Sequence, residues 1–283
     1  MITKIENTTL NGLTNLGTLE LYDNKITEIE DSAFIDLANL GLLYVYENSI
    51  STIEDNAFND LTKLEKLYLY ENMISKIGNN TLTGLTNLTE LLMRSNNITT
   101  IEDNAFKDLT KLRKLDLGKN DITTISDMTF SGLTNLQDLY LYDNSIQTIE
   151  VNAFRDLTNL WNLLLYRNNI TAIKNNTFIG LMNLKKLYLA RSSITTIEAG
   201  AFTDLSKLEE LDLSSNTITT IEDKAFNDLT KLKKLMVLNN SITTIEAGAF
   251  NDLNKLEILF LDNNKITSIR KGAFVGLTNA KDL

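Results

Sequence analysis

Written in rows of 24 residues, this 283-residue chain places all nine of its tyrosines in two columns. Tyr44, Tyr68, Tyr140 and Tyr188 share one column, and Tyr22, Tyr46, Tyr70, Tyr142 and Tyr166 share the column two residues later. A spacing of two puts both columns on one face of an extended strand. Tyrosine offers a large contact area, loses little conformational entropy when held and carries one polar tip, so a repeated column of it suits non-covalent recognition. The competing reading is structural, because aromatic residues favour strands and pair across neighbouring ones, contributing about 0.2–1 kcal/mol per pair.

The charged neighbours divide the columns into two patches. The first joins Tyr22, Tyr44, Tyr46, Tyr68 and Tyr70 with Glu20, Asp23, Glu47 and Glu71, and ends at Arg94. Ring faces beside carboxylates suit a cationic or hydroxyl-rich ligand. The second joins Tyr140, Tyr142, Tyr166 and Tyr188 with Trp161, Asp143, Arg167, Lys186 and Arg191, a mixed-sign set better matched to a protein or an anionic sugar. Asp116, Gly118, Lys119 and Asp121 lie between the patches and are small or charged. Nothing equivalent supports catalysis. Histidine and cysteine are absent, no glycine-rich phosphate loop occurs, and the carboxylates have no evident pocket to shift their pKa. No loop has calcium-ligand spacing. The expectation is a binding protein without catalytic residues, metal or cofactor.

The elements that must position these side chains come from one 24-residue unit, typified by residues 133–156 and copied without insertion or deletion. A fixed period of this size marks a stacked repeat architecture. Asn24, Asn48, Asn72, Asn96, Asn120, Asn144, Asn168, Asn216, Asn240 and Asn264 hold the register, with Ser192 filling the one gap. The alternating Asp138-Leu139-Tyr140-Leu141-Tyr142 reads as a strand with leucines inward and tyrosines outward. The asparagine that follows has a short amide able to bond the turning backbone and its neighbour. Ser192 has less reach, which predicts a weaker or water-filled turn there. Ten of the eleven phenylalanines occupy one further column, with Leu82 as its exception, and predict an aromatic spine on the far side. Short parallel strands on one side and longer irregular returns on the other imply curvature with the strand side concave.

Composition narrows the partners. A formal charge of -10 disfavours nonspecific binding to nucleic acid or an anionic bilayer. Acidic pairs such as Glu54-Asp55, Glu102-Asp103 and Glu222-Asp223 put much of the excess on turns, where it keeps the array soluble. No apolar run approaches the roughly 20 residues that span a bilayer, so no membrane insertion is expected, and the first residues lack the apolar core of a signal peptide. Proline, like histidine and cysteine, is absent, which points to a biased or consensus-like composition. We expect one domain over residues 1–283, about eleven repeats with partial ones at both ends and no cysteine caps.

The pattern Leu-x-x-Leu-x-Leu-x-x-Asn-x-Ile-x-x-Ile-x-x-x-Ala-Phe-x-x-Leu resembles the typical-class leucine-rich repeat of extracellular recognition proteins. Phrases such as Gly132-Leu-Thr-Asn-Leu136 and Asp60-Leu-Thr-Lys-Leu64 are similar to Toll-like receptor ectodomains and to the variable lymphocyte receptors of jawless fish and their lancelet relatives. The resemblance implies an α/β repeat solenoid, a horseshoe with a parallel concave sheet and an irregular or short-helical convex side. It also implies a secreted or cell-surface receptor that binds a protein or microbial-surface glycan on the concave face, as in innate-immune recognition. Cysteine-rich caps and the proline that often follows the second Ile position are missing from this chain. A structural or adhesive array that self-associates end to end, or an engineered consensus-like scaffold, is the alternative.

Overall fold

The structure is a computed structural model that describes residues 1–7 and 9–282. Two compact units are formed, Met1–Ile122 with Met128–Tyr140, and Thr123–Asp127 with Leu141–Leu283. In the first, the three-residue strands are Thr18–Glu20, Leu42–Tyr44, Lys66–Tyr68, Glu90–Leu92, Lys114–Asp116 and Asp138–Tyr140. In the second they are Asn162–Leu164, Lys186–Tyr188, Glu210–Asp212, Lys234–Met236 and Ile258–Phe260. Successive strands within each unit pair in parallel with Leu opposite Leu, as at Leu19, Leu43 and Leu67 and again at Leu187, Leu211 and Leu235. Within each unit every repeat therefore sits in register on the last, one period on. This is the solenoid that the 24-residue spacing predicts.

Leucines at the centre of each strand, such as Leu67, are fully buried from the second repeat onward, and so are those two residues later, such as Leu69, except Leu261 in the last repeat. On the far side Phe34 and Phe58 stack at 5.6 Å in the first unit, and Phe154, Phe178, Phe202, Phe226 and Phe250 continue at 5.9–6.1 Å in the second. Burial of each such ring stabilises the fold by about 1.5–3 kcal/mol, which accounts for the column without a ligand. The returns between strands are turns and two-residue strands; no helix occurs among the described residues. Some returns pack backbone on backbone. At Gly180, which has φ +91°, a Cβ would lie 2.5 Å from the carbonyl oxygen of Arg155, so only glycine fits there.

The asparagines staple repeat to repeat. Asn72 Oδ1 accepts the Ile50 N–H at 2.9 Å, while its Nδ2 donates to the carbonyls of Val45 (3.0 Å) and Leu69 (3.1 Å). Asn96 and Asn240 make the same set of bonds one or more repeats further on. The Ser192 hydroxyl is buried and reaches no hydrogen-bond partner, so the Ile170 N–H is not met as its counterparts are. A short side chain leaves one rung of the ladder unmade.

Candidate ligand-binding face

The residue just before each asparagine, and before Ser192 in its place, adopts the left-handed region, with φ from 50° to 56° at Asp23, Glu47, Glu71, Ser95, Lys119, Asp143, Arg167, Arg191, Ser215, Asn239 and Asn263. That conformation is costly for side chains such as Glu, Lys and Arg. It persists because the paired strand fixes the chain on one side and, at every position but Arg191, the asparagine bonds fix it on the other. Six expected site residues, Asp23, Glu47, Glu71, Asp143, Arg167 and Arg191, thus share one strained position at the exit of the strand. Sequence reading missed this strain; the only signal is the Asn and Ser residues mixed into the same column.

In the first unit the parallel register brings equivalent tyrosines to one strand spacing, about 4.8 Å, which is also a stacking distance. Tyr22 and Tyr46 stack at 4.8 Å with planes 2° apart, and Tyr46 and Tyr70 at 4.4 Å and 10°. The Arg94 guanidinium closes the stack 4.3 Å from the Tyr70 ring centroid. Tyr44 and Tyr68 form a second, tilted pair at 5.0 Å, tied to the first column by Tyr44–Tyr46 and Tyr68–Tyr70 contacts of 6.4 and 6.3 Å. All five rings are half-buried or exposed, clear of the leucine core, and Glu20, Asp23, Glu47 and Glu71 are exposed around them. The stacking changes what a ligand meets. Interior ring faces are taken by one another and by Arg94, so the surface offers hydroxyls and ring edges rather than the open faces that the sequence suggested.

Burial, then the neighbouring Tyr46, pushes the Tyr70 hydroxyl up to about 12. Burial likewise raises Tyr46, with Tyr22 the next cause. The Tyr68 hydroxyl donates to Glu90 Oε2 at 3.1 Å, and burial followed by that carboxylate raises its pKa. Glu90 lies between Lys66 (3.5 Å) and Lys114 (3.3 Å), one column that the sequence reading did not connect to the tyrosines. Beyond Arg94 the residues expected to separate two patches include Asp116, which is buried rather than exposed, its Oδ1 accepting the Gly118 N–H at 3.0 Å. Burial raises this carboxyl. Tyr140 belongs to the first unit, its ring 5.7 Å from Lys114 Nζ.

The second unit brings its expected residues together in separate pairs. Tyr142 and Tyr166 stack at 5.1 Å and 10°, beside an Arg167–Asp143 ion pair of 3.2 Å. Trp161, 47% exposed, carries Lys185 Nζ 4.7 Å above its ring. The Tyr188 hydroxyl donates to Glu210, which Lys186 approaches at 3.7 Å. Arg191 is exposed. Among the described residues no group of three or more His, Cys, Asp and Glu could hold a metal, and no helix is long and apolar enough to cross a membrane.

Against known families, a leucine rich repeat model matches residues 1–48, 39–98, 182–237 and 230–283, and a model of the BspA type leucine rich repeat region matches 75–204. No curated protein matches the chain. Among solved structures it is similar to a chain of the TLR13–ssRNA13 complex, with 29% identity and a TM-score of 0.89 over 99% of this chain and 41% of that one. A Leptospira interrogans LRR protein is 28% identical with a TM-score of 0.74, over 95% of this chain and 68% of its own. A chain of the Drosophila Toll–Spatzle complex, at 24% identity, matches in fold with a TM-score of 0.87 over 97% of this chain and 36% of that one. The chain thus spans less than half the length of the TLR13 and Toll complex chains.

Proposed function

The chain belongs to the leucine-rich repeat family, and on that premise we propose that it is a non-enzymatic recognition module that binds a protein ligand on its strand face. The observation that carries this reading is the five-tyrosine array closed by Arg94. Rings locked against one another lose little freedom when a ligand arrives, and they present hydroxyls in a fixed row within a rim of carboxylates. Such a surface suits the varied donors and acceptors of a protein. It suits a microbial glycan less, because sugars stack on open ring faces and most of these faces are taken. Related repeat proteins occur in complexes named TLR13–ssRNA13, Toll–Spatzle and Latrophilin 3–Unc5D–FLRT2, so proteins and RNA are both ligand classes of the fold. The net charge of -10 and the exposed Glu20, Asp23, Glu47 and Glu71 beside the array favour a protein over RNA here. On this reading the chain acts as one recognition domain, secreted or at a cell surface, with innate-immune recognition as the family-level context.

The test screens the protein against a panel of extracellular proteins, bacterial cell-wall fractions and a single-stranded RNA, alongside a variant with Tyr44, Tyr46, Tyr68 and Tyr70 changed to Ala. We expect a saturable protein binder whose affinity falls roughly 30-fold or more in the variant, the scale of a lost hot spot of about 2 kcal/mol, with circular dichroism unchanged. A binder held equally well by the folded variant would remove the tyrosine array from the site.

A further inference from the structure

The strand-entry edge of the second unit contains a feature that the tyrosine face does not use. Lysine at the position nine residues before the asparagine normally has an amide acceptor one repeat earlier: Lys63 donates to Asn39 (2.7 Å), Lys111 to Asn87 (2.5 Å) and Lys207 to Asn183 (2.7 Å). After Lys207 the pattern breaks. The next two positions are Lys231 and Lys255, so lysines occupy the same place in three successive repeats, whose backbones lie about one strand spacing apart. Like charges repeated at one turn position of neighbouring repeats repel one another. Lys231 and Lys255 are exposed and have neither an ion pair nor a hydrogen bond from their ammonium groups among the described residues.

Beside this ladder runs a second one, two residues later in each repeat, with Lys185, Glu209, Lys233 and Glu257. Its carboxylates are already engaged, Glu209 by Lys233 at 2.6 Å and Glu257 by Lys281 at 2.7 Å, and so do not neutralise the first ladder. The two ladders line one cavity of about 460 Å³ with five lysines and two glutamates, a local net charge of +3 on a chain of net charge -10. Long lysine side chains can wall such a cavity with their aliphatic stems. Trp161, under Lys185, marks its near end.

We propose that this edge binds a short acidic segment of a protein, its carboxylates taken by Lys207, Lys231 and Lys255 and its backbone lying along the lysine stems. The choice of a protein segment rests on the recognition reading above; the demand for an anion does not. The interleaved glutamates and the modest local charge match a ligand carrying two or three carboxylates, whereas a dense polyphosphate would meet both glutamates and the acidic remainder of the chain.

The test uses fluorescence anisotropy with a short labelled peptide of alternating Glu and Asp, its Gln/Asn counterpart, and an oligouridylate of equal charge. The intact chain is compared with Lys231→Glu/Lys255→Glu, the milder Lys231→Gln/Lys255→Gln, and Tyr46→Ala. We expect saturable binding of the acidic peptide alone, weakened about 10-fold or more by the double Glu change, less by the double Gln change, and further by salt, with Tyr46→Ala unchanged. No saturable peptide binding, equal binding of the oligouridylate, or loss in Tyr46→Ala but not in the lysine variants would each overturn the assignment. Since the peptide probe does not engage the tyrosines, its failure leaves the tyrosine-face reading intact, and loss of the tyrosine-face binder leaves this site intact.

Discussion

In the first unit the column two residues after the strand's last residue runs Tyr22, Tyr46, Tyr70, Arg94 and Gly118, and the asparagines from Asn24 to Asn120 are unbroken. In the second, the same column runs Tyr142, Tyr166, Ala190, Ser214, Leu238 and Asp262, and the asparagine ladder is interrupted at Ser192. The first gives a continuous stack with a cationic stop, the second one stacked pair followed by residues without rings. The backbone repeats alike in both, so the contrast is due to side chains. In a parallel stack each residue is a neighbour to the repeat before and the repeat after, and one departure from the pattern removes two contacts rather than one. Uniform columns therefore become rigid surfaces, and broken ones leave isolated groups.

The largest effect is expected where the ladder is intact. Asn72→Ala removes the acceptor of the Ile50 N–H and the donor to the Val45 and Leu69 carbonyls, in a buried setting. Unsatisfied buried groups cost about 1–3 kcal/mol each, so a loss of about 3 kcal/mol is expected in urea unfolding. Asn24→Ala, at a part-buried site, should cost clearly less. Equal losses at the two positions would show that burial does not set the value of the rung.

The complementary change repairs the gap in the second unit. Ser192→Asn restores an acceptor for the Ile170 N–H in a turn whose geometry is already set by the repeats on either side. A gain of about 1 kcal/mol is expected, the net value of one added hydrogen bond, read as a rise in the urea midpoint at unchanged slope. A loss of stability on this change would mean that the turn has closed around the serine and has no room for the amide.

The periodic features were legible in the sequence because nothing interrupts the 24-residue spacing: inward leucines, outward tyrosines, the phenylalanine spine and the odd position of Ser192 all follow from the column in which a residue stands. What lay between columns was not legible. Tyr68 and Glu90 stand 22 residues apart, Tyr188 and Glu210 likewise, and their hydrogen bonds depend on how a ring leans toward the next strand. The left-handed backbone at Glu47 or Arg167 goes against their residue types and is imposed by the turn. Asp116 resembles an exposed charge in its column, yet folds back onto the Gly118 N–H and is buried. Each of these is set by distances across repeats, which one-dimensional spacing does not contain.

The smallest effect distinguishes the two tyrosine settings by sign. Burial, with Tyr46 next, holds the Tyr70 hydroxyl at about 12, while Arg94 pulls in the other direction. Arg94→Ala should therefore move Tyr70 higher. Tyr188 is raised by burial and then by Glu210, so Glu210→Gln should bring it down. Both shifts can be followed by NMR titration of ring-labelled tyrosine. Stability has the same sign at both sites. A tyrosine whose folded pKa exceeds its unfolded value of about 10 contributes fully below pH 10, and for Tyr70 that contribution is lost as the pH rises toward about 12. Glu90→Gln keeps an amide oxygen that can accept from the Tyr68 hydroxyl but removes the carboxylate charge that, after burial, raises its pKa, so the stability lost with rising alkaline pH should be smaller in this variant. An alkaline loss as large as in the unchanged protein would mean that the Glu90 charge does not set the ionisation of Tyr68.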